Sequence, residues 1–207
     1  MRIYLTAIAL LAGMFAPLAA DPTVYGARSE AVFFDTSFAT QDQQDILEKY
    51  SDHTYFGAVF LEKGGTAWGA YSGANRFDDA AKLALMICEA HAQTGDCVPA
   101  LFIAPTELKT GAPPKKSLGF RASQEYRTFE SRQVGHRAFA ISHNHAYGWA
   151  TGKQTPAEAV DAALTQCNRN SMKSLLQINH RIREEALEAG YYDCEIVAHN
   201  APGADPS

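Results

Sequence analysis

The 207-residue chain reads as an α+β protein built from two tandem ββαβ-like modules, each an antiparallel sheet with an Ala-rich helix packed on it, stabilised by disulfides. Three observations predict this. Residues 69–88 and 148–167 align without a gap at an offset of 79: Gly69 falls on Gly148, Gly73 on Gly152, Ala80 on Ala159, Ala84 on Ala163, Leu85 on Leu164 and Cys88 on Cys167. Such a match, ending on Cys both times, is an internal duplication. Each copy also runs through two apolar strand-like segments and then a segment with helical apolar spacing. Finally, the four cysteines occupy positions that the duplication relates to one another.

The elements follow in order. Residues 1–20 read as a secretory signal peptide. Met1-Arg2 gives a positive start, residues 3–16 form an apolar run too short to span a bilayer comfortably, and Pro17-Leu18-Ala19-Ala20 supplies small residues before Asp21. No Cys follows the run, which argues against a lipid anchor. Loss of Arg2 takes the formal charge from −5 to −6. An acidic chain without a dense basic patch is a poor nucleic-acid binder. Lys109, Lys115 and Lys116 form the nearest thing to a basic cluster, and they sit in a Pro/Gly-rich connection as solvating charges. No other apolar run is long enough to cross a membrane, so with the leader removed the expected location is periplasmic or secreted.

Residues 21–54 read as an N-terminal extension, with a short strand over 31–34. A Thr40-to-Gln43 capping box then opens a helix to about residue 50, with Ile46 and Leu47 inward. The first module covers 55–105. It has a strand over 55–61, a Gly64-Gly65 turn, a strand over 66–71, a helix over 77–90 and a strand over 98–103. Phe77, Ala80, Ala81, Ala84, Leu85 and Cys88 fall on one helix face. Residues 106–135 read as a linker with a short helix over 124–131. The second module covers 136–200: a strand over 138–141, a His143-Asn144-His145 turn and a strand over 147–150. A helix follows with Thr155 as N-cap, Pro156 at the first helical position and Glu158 closing the box. Its face is Pro156, Ala159, Val160, Ala163, Leu164 and Cys167. Residues 201–207 are expected to be a disordered tail.

The copies differ after the helix. Eight residues separate Cys88 from Cys97, and twenty-six separate Cys167 from Cys194. The extra material reads as one inserted amphipathic helix over 172–189, with Met172, Leu175, Leu176, Ile182, Ala186 and Leu187 pointing broadly one way and Gly190 ending it. Four cysteines permit three pairings. The symmetry of the duplication selects Cys88–Cys97 and Cys167–Cys194.

These residues resemble a small exported bacterial module, the domain of unknown function 4189 family. The resemblance rests on Gly57-Ala58-Val59, Trp68-Gly69, Ala84-Leu85-Met86-Ile87-Cys88 and Asp96-Cys97. It recurs in Ala138-Phe139-Ala140, Tyr147-Gly148-Trp149, Ala163-Leu164-Thr165-Gln166-Cys167 and Asp193-Cys194. Both copies lack the further C-terminal Cys-containing strand that the family usually carries. The resemblance implies an exported, disulfide-stabilised domain with no known activity, so no catalytic residue is carried over.

Candidate chemistry is sparse. His143 and His145, two apart in an extended segment, would point to one side and share a metal, with His136, His180, His199 or a carboxylate completing the set. The first copy carries Glu62-Lys63-Gly64-Gly65 at about the same hairpin, which makes polar turn residues the simpler account. Ser142 and His143 are sequence neighbours and would face opposite sides of a strand, a poor nucleophile–base pair. There is no Cys-x-x-Cys, no phosphate-cradling glycine loop, no dinucleotide fingerprint and no recognisable pyridoxal-phosphate lysine context. No cofactor is therefore expected. Trp68, Tyr71, Tyr147 and Trp149 read as core packing or, alternatively, as an aromatic strip for a glycan or protein partner. A duplicated active site would repeat its polar residues, and these copies repeat glycines, alanines and cysteines. The expectation is a non-catalytic protein that binds an unknown protein or small ligand. A metal-dependent role at His143/His145 is one alternative. The other is an inhibitor or immunity-type protein that uses the inserted helix.

Overall fold

The computed structural model describes residues 21–93, 95–108 and 116–200. The expected leader, the tail, and Lys109 and Lys115 of the basic cluster lie outside the described residues.

The chain is α+β, with two ββαβ-like modules and two disulfides. β1 (Ser29–Phe33), α1 (Gln41–Ser51), β2 (Gly57–Glu62), β3 (Trp68–Tyr71), α2 (Phe77–Glu89) and β4 (Cys97–Pro105) build the first. α3 (Phe120–Ser131), β5 (His136–Ser142), β6 (Tyr147–Lys153), α4 (Pro156–Leu175), α5 (Arg183–Glu188) and β7 (Cys194–Asn200) build the second. The sheets are separate, in the orders β1-β4-β2-β3 and β6-β5-β7, and every strand pair is antiparallel.

Each sheet lies between two helices because both of its faces are apolar. On β2, Val59 and Leu61 enter the core that includes Leu47 of α1, while Ala58 and Phe60 meet Ala84 and Cys88 of α2. On β5, Phe139 and Ile141 meet Ala122, Tyr126 and Phe129 of α3, while Ala138 and Ala140 meet Ala159, Ala163 and Cys167 of α4. A central strand buried on both sides reads as a continuous apolar run. Each fully buried Leu, Ile or Phe contributes about 1.5–3 kcal/mol.

The helices on the alanine side lie very close to the sheet, and the duplicated glycines make that possible. A Cβ on Gly69 would come within 2.1 Å of Ala84 O and 2.3 Å of Cys88 N. One on Gly148 would come within 2.4 Å of Ala163 O and 2.3 Å of Cys167 N. Gly73 and Gly152 also share a conformation, with φ of +76° just after β3 and +71° near the end of β6. Even an irregularity is duplicated. The β2–β4 register passes over Ala100 between Val59 and Phe60, and the β5–β7 register passes over Val197 between Phe139 and Ala140.

The disulfides are Cys88–Cys97 and Cys167–Cys194, the pairing that symmetry selected. Thr40 and Gln43 form the expected capping box. At α4 only half of it forms: Thr155 Oγ1 accepts from Glu158 N at 3.2 Å, but Glu158 Oε2 accepts from Gln154 N rather than from the N-cap amide. Pro156, assigned to the apolar face, is exposed at the first helical position.

Two readings are corrected. The segment 106–135 is more than a linker, since α3 begins at Phe120 and covers a face of the second sheet. The inserted helix over 172–189 does not exist as one helix. α4 continues past Cys167 to Leu175, the chain then turns, and α5 spans Arg183–Glu188. The break falls where Asn179 Oδ1 accepts from Arg181 N at 3.0 Å, a local bond that competes with helical pairing. The residues expected to share one face divide: Met172, Leu176 and Leu187 are exposed, whereas Leu175, Ile182 and Ala186 are buried.

Candidate functional site at the junction of the modules

The residues 143–145 form a bend between β5 and β6, not a strand, so the two-residue periodicity that would align His143 with His145 does not apply. The middle residue points inward. Asn144 is fully buried; its Oδ1 accepts from Ala146 N at 2.8 Å and its Nδ2 donates to Ser174 Oγ at 3.0 Å. From the first module, buried Asn75 donates through Nδ2 to Ser142 O at 2.9 Å and Ala146 O at 2.7 Å. Asn75 N donates to Asn144 O, and Ser171 Oγ donates to Tyr192 O at 2.7 Å. A buried polar network of this kind fixes one relative placement of the modules, because breaking any member strands a polar group.

The two histidines flank this network and reach into the first module. His143 Nδ1 donates to Asp79 Oδ2 at 2.8 Å, with the side chains 39% and 9% exposed. The Asp79 hydrogen bond raises the His143 pKa above its ordinary value, against the lowering effect of burial. Beside it, Arg76 pairs with Glu195, a second ion pair across the junction. His145 Nδ1 is hydrogen-bonded to the Tyr71 hydroxyl at 3.0 Å. Burial lowers the His145 pKa, helped by the positive charge of Arg121. Burial pushes the Tyr71 phenol well above its usual range. The structure therefore gives the candidate metal ligands different protein partners. Among the described residues, no group of three or more His, Cys, Asp or Glu could hold a metal ion.

An apolar patch completes the junction. Leu83 lies off the apolar face assigned to α2, yet it is fully buried against Leu175, Ala186, Tyr191 and Tyr192. Arg181 Nη1 donates to Ala90 O at 3.0 Å, and the Asn179 amide bonds His91. The insertion in the second copy thus clamps the end of α2.

Between these contacts lies a cleft. One cavity of about 270 Å³ is lined by residues that include Tyr50, His53, Tyr71, His145, Gln177 and Tyr192. A second of about 440 Å³ is lined by Thr66, Ala67, Trp68, Ile87, His91 and Asn179. They share Ile87 and Asn179, so they adjoin. Both are of the order of small-molecule sites, roughly 300–1,000 Å³. His53 Nδ1 is hydrogen-bonded to Ser72 Oγ at 3.0 Å, a pair beside Tyr71–His145. The Tyr192 hydroxyl is buried in this wall with no hydrogen-bond partner, Ser174 lying close by without full bonding geometry. Burial pushes the Tyr192 pKa up to about 12.

The aromatic strip divides between two environments. Trp68 and Tyr71 line the cleft. Tyr147 and Trp149 pack against the α3 side of the second sheet, where Trp149 Nε1 donates to Glu125 Oε2 at 3.1 Å. Sequence reasoning missed Asn75, His53, Asn179 and Tyr192, which lie in turns or strand ends without a shared motif. No family profile, curated protein or solved structure matches the chain. Among the described residues, no helix is long and apolar enough to cross a membrane.

Proposed function

We propose that this chain is an exported, non-catalytic binding protein whose ligand site is the cleft between its modules. The observation that carries this is the division of labour between repeated and unrepeated residues. The repeated glycines, alanines and cysteines are used up in seating helices on sheets and in disulfides. The cleft is lined by residues such as His53, Tyr71, His145, Asn179 and Tyr192, most of them outside the segment that repeats. Export is supported by the leader-like pattern of residues 1–20 and by two disulfides, which persist in oxidising compartments. The resemblance to the exported module described above points the same way.

The test is a thermal-shift screen against sugars, small aromatics and quaternary amines, repeated on Ala70→Trp, which places an indole in the cleft wall. Ligand bound only to the folded state raises stability by about 2.7 kcal/mol at a hundred times its dissociation constant. Stabilisation that disappears in Ala70→Trp, with the unliganded melting temperature preserved, is expected. Stabilisation that persists in the variant would place the site elsewhere. The competing metal reading would gain if protein purified without chelator carried stoichiometric metal that His143→Ala with His145→Ala removed.

A further inference from the structure

The cleft has a chemistry that selects among ligands. None of the described residues that line its two cavities is Asp, Glu, Lys or Arg. An anion would be left without a countercharge, and so would a metal ion. What the walls offer is directional hydrogen bonding: Ser72, Gln177, Asn179 and the imidazoles of His53 and His145. Each of those imidazoles is held through Nδ1 by a protein hydroxyl, and neither Nε2 has a partner among the described residues. The His145 pKa is lowered by burial, which favours the uncharged ring.

Two further features narrow the class. The hydroxyl of Tyr192, a residue only 5% exposed, is a buried polar atom without a hydrogen-bond partner in the cavity wall. Such a group costs free energy until a ligand or water meets it. Large aromatic rings stand at both cavities, Tyr50 at the smaller and Trp68 at the larger, with ring centroids 6.3 Å apart. A ring face beside uncharged donors and acceptors suits a ligand with an apolar C–H face and a rim of hydroxyls.

We infer that the cleft binds a neutral sugar of one or two rings, with Trp68 and Tyr50 as the stacking platform and Tyr192, Asn179 and the free imidazole nitrogens reading its hydroxyls. This ligand class presupposes that the cleft is the binding site. An aromatic cage for a quaternary ammonium is the nearest rival chemistry, but it would leave the hydrogen-bonding groups and the Tyr192 hydroxyl unmet.

The experiment uses the full chain carrying Trp149→Phe, so that Trp68 is the single tryptophan in the described residues. Cellobiose, N,N′-diacetylchitobiose and maltose are titrated against Trp68 fluorescence, with choline and phenol in parallel. At least one sugar is expected to give a saturable change. Tyr192→Phe, which deletes only an unpartnered hydroxyl, should weaken that sugar roughly five- to tenfold without lowering the melting temperature. Trp68→Ala, followed by calorimetry, should abolish binding. Saturable binding of choline or phenol with none of any sugar would overturn the sugar class and leave the cleft as the site. Silence from all five probes would overturn both. A sugar response untouched by Tyr192→Phe and Trp68→Ala would also overturn the assignment.

Discussion

The two modules solve one packing problem with the same parts and then diverge at their ends. In each, a glycine on the returning strand lets an Ala-rich helix settle on the sheet, a buried Cys on that helix bonds the next strand, and the same register slip recurs. The hairpins differ. Phe60 pairs with Gly69, whereas Ala140 pairs with Gly148, so the second turn is one residue shorter. At the base of both turns a buried polar side chain takes the same amide: Glu62 Oε2 accepts from Ala67 N at 3.2 Å, and Ser142 Oγ accepts from Ala146 N at 3.1 Å. The shorter second turn, built around Asn144, plugs into the first module. The lesson is that duplication conserved the scaffold, and the places where the copies depart from it became the junction.

The largest expected contrast lies in the disulfides. The loop closed by Cys167–Cys194 spans a separation of 27 residues and that of Cys88–Cys97 spans 9. Loop-entropy arguments assign them about 3.5 and about 2.6 kcal/mol. Chemical denaturation of the two double Cys→Ala variants should show the second module's bridge mattering more, and the opposite order would break the comparison. Next come the glycines. Gly69→Ala and Gly148→Ala each force a Cβ into helix backbone that has no room to yield, and each should cost about 2–3 kcal/mol. Matching losses are expected from the matched geometry, and a loss under about 1 kcal/mol at either site would mean that its helix can back away.

The smallest effect separates the two histidines. The Asp79 bond raises the folded-state pKa of His143 above the unfolded value near 6.5, so its contribution is full below that pH and fades as pH rises through the folded pKa. Burial depresses that of His145, so its contribution is present above pH 6.5 or so and is lost as pH falls through the folded pKa. The slopes oppose one another and partly cancel. The His143 pair is partly exposed and is worth at most about 1 kcal/mol. Melting temperatures across pH 5–8 should therefore tilt in opposite directions in His143→Gln and His145→Gln. A common tilt would contradict the assigned partners.

Much of this fold was legible because the scaffold is written in residues with a single physical use. Gly69 and Gly148, the alanine faces and the cysteine symmetry led directly to modules and disulfides. The equivalence of α1 and α3 was readable in principle, since the same offset sets Leu47 on Tyr126, both buried, and half-buried Tyr50 on buried Phe129, but these pairs share an inward face rather than identity. The inserted segment misled because Met172, Leu176 and Leu187 match helical spacing, while the local bond at Asn179 that breaks the helix carries no apolar signal. The cleft was least legible. It draws on residues from 50 to 192, and only the packing of one module on the other brings them together.

The proposed ligand site lies where the copies meet. Histidine-selective NMR tests it directly, with any compound that stabilises the protein added to saturation. The ring signals of His53 and His145 are expected to move while those of His136, His180 and His199 stay in place. Shifts confined to the latter three, with His53 and His145 unmoved, would contradict it.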